Sequence, residues 1–144
     1  MAKFDLHNNI YPKRGMSPVA ATTDNTAYVS QIVDTQGFGS VEWITLIGAN
    51  TDADATFTTL VEDGDASNLS DAAAVADAEL LGTEVLAGFQ FDDDNEVRKI
   101  GYIGNRRYVR VTITPANNAA GNIFIAGVWV LGHPTLAPTA NPPA

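Results

Sequence analysis

Residues 101–115 read GYIGNRRYVRVTITP, and the second half of this stretch alternates without a break. Val109, Val111 and Ile113 fall on one side, and Tyr108, Arg110, Thr112 and Thr114 fall on the other. Side chains of an extended chain switch faces at every residue, so this is a half-buried β-strand with one dry face and one wet one. Its β-branched and aromatic residues suit a pleated surface. Pro115 has no N–H for a ladder and ANNAAG follows, so the strand is expected to stop there. A strand of this kind belongs to an antiparallel sheet packed on a second sheet. The fold expected is therefore all-β, a single antiparallel β-sandwich of jelly-roll-like type.

The rest of the chain can be read against that strand. Residues 1–22 lack a sustained period, their apolar residues being separated by turn residues, Pro12 and Pro18. They are expected to form an extended N-terminal arm that must lie on something to be ordered. The sandwich is assigned to residues 23–132, with strands expected at 26–34, 41–47, 55–61, 97–103 and 122–131. Residues 41–47 are apolar on both faces and are placed centrally. Ala55, Phe57, Thr59 and Val61 are expected on the inner face of their strand, and residues 122–131 are too apolar for a wet face. Residues 72–81 allow either a short helix capped by Ser70 or an irregular crossover. Residues 83–91 suggest a strand interrupted at Gly88. Residues 133–144 carry Pro134, Pro138, Pro142 and Pro143 and read as an extended Pro-rich tail.

Charge narrows the function classes. The net charge is −9. Residues 52–96 hold thirteen acids and no Lys or Arg. Basic residues sit in two zones: Lys3, Lys13 and Arg14, then Arg98, Lys99, Arg106, Arg107 and Arg110. Nucleic-acid binding depends on clustered cations, so it is not expected as a general activity. An acidic middle between two basic zones suggests complementarity between parts of an assembly. No run reaches the roughly 20 apolar residues of a membrane helix, and the N-terminus has no apolar signal segment. Neither a membrane nor a secretory route is expected.

Catalytic chemistry finds no footing in the sequence. With no cysteine there is no thiol nucleophile or thiolate metal site. His7 falls in the arm and His133 at the start of the tail, neither expected among convergent polar groups at a strand end. Asp63, Asp65 and Ser67 resemble the opening of a calcium loop, but the glycine comes too early and Ala74 stands where a bidentate acid is needed. Asp92, Asp93 and Asp94 are read as a solvated turn. The sequon at Asn68 needs a secretory route, and residues 101–104 (GYIG) lack the third glycine and lysine of a phosphate loop. No catalytic, cofactor-binding or metal residue is assigned, and the chain is expected to be non-enzymatic. Arg106, Arg107 and Arg110 with Tyr108 are read chiefly as cross-strand partners for acids, and otherwise as protein-interface residues.

Four stretches in order carry a resemblance: residues 56–65 (TFTTLVEDGD), 75–83 (VADAELLGT), 98–115 (RKIGYIGNRRYVRVTITP) and 130–138 (VLGHPTLAP). Across residues 24–138 the chain resembles a family of small proteins encoded in the head-gene region of tailed bacteriophages and prophages. The resemblance implies a head decoration, or minor capsid, protein on the capsid outer surface, made in the bacterial host cytoplasm. It further implies binding to the phage major capsid protein as a homo-oligomer, a trimer matching the three-fold sites of an icosahedral shell. In such a role Lys3, Phe4, Leu6, Ile10, Tyr11, Lys13 and Arg14 are the capsid-binding candidates, with Arg106, Arg107 and Arg110 as interface candidates. A tail or neck component of the virion is the alternative. A carbohydrate-binding sandwich is a third class, for which Trp43 and Trp129 are the available aromatics; both lie in apolar strands and are expected in the core.

Overall fold

A computed structural model describes residues 3–119 and 121–143; Met1, Ala2, Ala120 and Ala144, which fall in the expected arm, loop and tail, lie outside the described residues. In chain order the strands are β1 (Ile10–Met16), β2 (Tyr28–Val29), β3 (Val33–Asp34), β4 (Phe38–Asn50), β5 (Thr56–Gly64), β6 (Ala73–Ala74) and β7 (Leu80–Leu81). A single helical turn, α1 (Glu84–Ala87), precedes β8 (Phe89–Gln90), β9 (Val97–Tyr102), β10 (Tyr108–Ala116) and β11 (Ile123–Pro134). One sheet, called sheet I, runs β1-β11-β4-β9-β7; sheet II runs β2-β10-β5-β6, with β3 also on β10 and β8 on β5. All pairings are antiparallel. The long strands β4, β5, β9, β10 and β11 fall alternately in sheets I and II, the connectivity of a jelly roll. The molecule is an all-β antiparallel sandwich.

The core forms where the alternating faces meet. Val109, Val111 and Ile113 are fully buried, while Arg110 and Thr112 are half-buried and Thr114 is exposed. Ala55, Phe57, Thr59 and Val61 likewise face inward. At the centre, Trp43 of β4 lies directly opposite Trp129 of β11. Gly127 and Gly15 leave room for this pair, since a Cβ at either would overlap the Trp43 ring. The Trp43 indole N–H donates to Thr45 Oγ1 at 2.7 Å, and that of Trp129 to the Gln31 carbonyl at 3.1 Å, so neither polar handle is stranded.

Several expected elements take a different form. Residues 10–16 are an edge strand paired with β11, so the arm is shorter than residues 1–22. Pro12 and Gly15 hide the strand period, and an edge strand can tolerate a proline on its open side. The strand expected at 26–34 splits in two, because at Ser30 the chain leaves the ladder. There the Ser30 N–H donates to the Val111 carbonyl at 2.8 Å, and the Ser30 hydroxyl accepts the Val111 N–H at 2.9 Å. Strand β10 runs one residue past Pro115. Ser30 marks the side of β10 to which odd-numbered backbone groups point, and β2 ends opposite Ile113, so the missing N–H of Pro115 has no ladder to break. Residues 72–81 take the irregular crossover. Residues 83–91 keep a strand only after Gly88, as β8, and hold α1 before it, because Thr83 Oγ1 accepts the Leu86 N–H at 3.1 Å and starts a turn. Strand β11 extends to Pro134 and does have an outer face, which is half-exposed.

Candidate interaction surface

The two sheets present unlike outer faces. On sheet II the cross-strand neighbours are Thr58 with Thr114, Leu60 with Thr112, and Glu62 with Arg110, the wet face of an ordinary sandwich. On sheet I one row runs Arg14, Val128, Ile44, Lys99 across four strands. The row on one side of it runs Pro12, Val130, Glu42, Gly101, Leu81, and the row on its other side Ala126, Leu46, Val97. Leu46, Val97 and Leu81 are 50–55% exposed. Contiguous aliphatic side chains on an outer face are the usual mark of a surface that meets a partner. In this face Glu42 lies against Gly101 and Leu81, and burial pushes its carboxyl above the usual range while Lys99 pulls the other way. At one end the face opens into a groove of about 470 Å³ between Leu6, Ile10, Val130, Leu81 and Ile103.

The basic residues divide sharply. Arg110 pairs with Glu62 at 2.8 Å, its cross-strand neighbour. Arg107 grips Asp34 with two hydrogen bonds of 2.9 and 2.7 Å and holds that carboxyl below its ordinary range. Arg106 reaches Asp65 at 2.6 Å, and Arg98 pairs with both Asp93 and Glu96. The interface candidates Arg106, Arg107 and Arg110 are therefore engaged within the sandwich. Among the described residues no carboxylate forms a salt bridge with Lys3, Lys13, Arg14 or Lys99. Arg14 and Lys99 stand on the outer face of sheet I.

The structure separates the seven capsid-binding candidates into two groups. Ile10, Tyr11, Lys13 and Arg14 belong to β1; Tyr11 packs on Phe38 with ring centroids 5.6 Å apart, and the Lys13 ammonium lies 5.7 Å from the Tyr11 ring centroid. Lys3, Phe4 and Leu6 lie ahead of the strand and are exposed, Phe4 by 95% and Leu6 by 66%. The base of this short arm is clasped by the tail. The Thr139 N–H donates to the Asn8 carbonyl at 3.0 Å and its hydroxyl to the Ile10 carbonyl at 2.6 Å. Asp5 accepts the Asn8 backbone N–H at 3.0 Å and shapes the turn that leads into β1. The two ends, separate segments in the sequence, form one unit.

Other polar clusters are used internally. The Tyr102 hydroxyl donates to Asp63 at 2.7 Å, and burial raises the phenol's pKa well above its ordinary value. Asp71 accepts the Asp65 backbone N–H at 2.8 Å, and Asp94 accepts that of Asn50 at the same distance. His133 sits at the end of β11, where Ser40 Oγ lies 2.9 Å from its Nδ1. Both indoles are buried between the sheets, out of reach of a sugar stacked on the surface. Sequence reasoning missed Leu46, Val97 and Val128 as surface residues. The doubly apolar pattern of residues 41–47 was the available signal, and it reports an exposed apolar face as well as a central strand.

The fold is an all-β sandwich with one partly apolar outer face. No protein-family model matches the chain, and no curated protein matches it. Among solved structures it is similar to the CBM22-1–GH10 modules of the Clostridium thermocellum endo-1,4-β-D-xylanase 10B, determined in complex with xylohexaose, at 12% identity and a TM-score of 0.39. That match covers 94% of this chain and 28% of the other.

Proposed function

We propose that this chain is a non-enzymatic virion structural protein that decorates a tailed-phage capsid, binding the major capsid protein lattice as an oligomer on the outer surface. The observation that carries the reading is the pinned arm. Phe4 and Leu6 stand exposed beside Lys3 on a segment whose base is held by Thr139 and Asp5. Apolar anchors held at a fixed base lose less entropy on docking than a free arm, and several such arms on one oligomer act together. The resemblance of the four sequence stretches, in order, to head-region phage proteins favours the same reading.

Immunogold electron microscopy of virions carrying this protein tests it. Label distributed over the head is expected. Label confined to the tail or neck overturns the decoration role in favour of a tail or neck component.

A further inference from the structure

We infer that copies of this chain associate head to tail, the α1 turn of one docking on the outer face of sheet I of the next. The α1 turn displays Val85 and Leu86 with 88% and 70% of their surface exposed. It is not a loose tip. Glu84 Oε1 accepts the Val61 N–H at 2.7 Å, and the Ala87 carbonyl accepts the Thr59 hydroxyl at 3.0 Å, so the turn is bolted to the edge of β5 at both ends. Two aliphatic side chains held rigidly in water form a knob that gains from burial.

Charge selects the occupant. Beside Val85 and Leu86 stand Glu84 and Asp93, and the base that lies there, Arg98, is paired with both Asp93 and Glu96, so the surroundings of the knob are acidic on balance. The receiving face carries Arg14 and Lys99 at the two ends of the Val128–Ile44 row, with Glu42 as its acid. Stacking that face on its own copy sets Arg14 and Lys99 against like charges, and joining knob to knob sets acid against acid. Joining knob to face matches aliphatic with aliphatic and acid with base. A contact between two different surfaces repeats around an axis and closes into a ring when the rotation allows. A ring of three fits the proposed decoration role. The contact names how the oligomer of that role is built: a chain that binds heads but never self-associates overturns this inference and the oligomer, and leaves head binding standing.

Sedimentation velocity of the full chain, up to the highest attainable concentration, tests the contact with two variants. Leu46→Asp/Lys99→Glu spoils the face, and Val85→Asp/Leu86→Asp spoils the knob; circular dichroism reports folding, with Leu46→Thr/Lys99→Gln as a gentler face variant. Wild type is expected to form a discrete larger species and each variant to sediment as monomer. An equimolar mixture of the face and knob variants restores one intact knob–face pair and is expected to give a dimer and nothing larger. A monomeric wild type, a knob variant that associates as wild type does, or a mixture that stays monomeric overturns the contact.

Discussion

Trp43 and Trp129 face each other across the β4–β11 ladder with ring centroids 4.9 Å apart and planes inclined at 64°, an edge-to-face pair at the middle of the sandwich. The contact depends on the absent side chain of Gly127, over which the Trp43 ring lies. Gly127→Ala forces the indole or the strand to move, and overpacking of this kind costs about 1–3 kcal/mol. A lower denaturation midpoint for Gly127→Ala is expected by chemical unfolding. Ala at Gly82 removes no packing because open space surrounds that position, so its effect reports only its φ of +94°.

The faces of β10 give a second comparison. Val111 is fully buried and Thr112 is half-exposed on the outer face. Val111→Ala is expected to destabilise by about 2 kcal/mol, and Thr112→Ala by well under half of that. Equal costs in a denaturation series contradict the assigned faces.

Two carboxylates bring opposite pH signatures. Burial raises the Glu42 pKa, so the folded state holds that proton more tightly than the unfolded chain. Its charging then costs stability as pH rises through the raised value, and no cost remains below the ordinary carboxylate range. Glu42→Gln is expected to raise the melting temperature at neutral pH, with the gain closing as the solution is acidified. Arg107 lowers the Asp34 pKa, so its contribution is present above the ordinary carboxylate range and is lost as pH falls through the depressed value. Asp34→Asn is expected to lower the melting temperature at neutral pH, the loss closing in acid. The effect is small because the pair is substantially exposed. Melting curves across pH check both signs.

Truncation distinguishes arm from strand. Removing residues 1–4 takes away the exposed Lys3 and Phe4 and leaves the Asp5 turn and β1 whole. Removing residues 1–16 strips the partner from β11 and bares its edge next to the Trp pair. The shorter deletion is expected to melt like wild type, and the longer one to melt lower and aggregate.

Much of this was legible in the chain itself. The period-2 runs of β10 and β5 reported their buried faces, and the doubly apolar run of residues 41–47 reported the central place of β4. Strand β1 was not legible, because Pro12 and Gly15 interrupt its alternation and its stability comes from a partner more than a hundred positions away, as in Ile10 with Gly132 and Arg14 with Val128. The break at Ser30 was equally hidden, since a hydroxyl there replaces a backbone group in the ladder only when Val111 is beside it. Nor did sequence reveal which basic residues are paired. Arg106, Arg107 and Arg110 look as available as Arg14 and Lys99 until the fold brings Asp65, Asp34 and Glu62 to meet them.

The proposed function stands on the exposed arm, and co-sedimentation with bare phage heads tests it most directly. Wild-type protein is expected to pellet with the heads at a saturating ratio. Phe4→Asp/Leu6→Asp, with an unchanged melting temperature, is expected to remain in the supernatant. Full occupancy by that folded variant would contradict the arm as capsid anchor, and failure of the wild type to bind any head would contradict the decoration role itself.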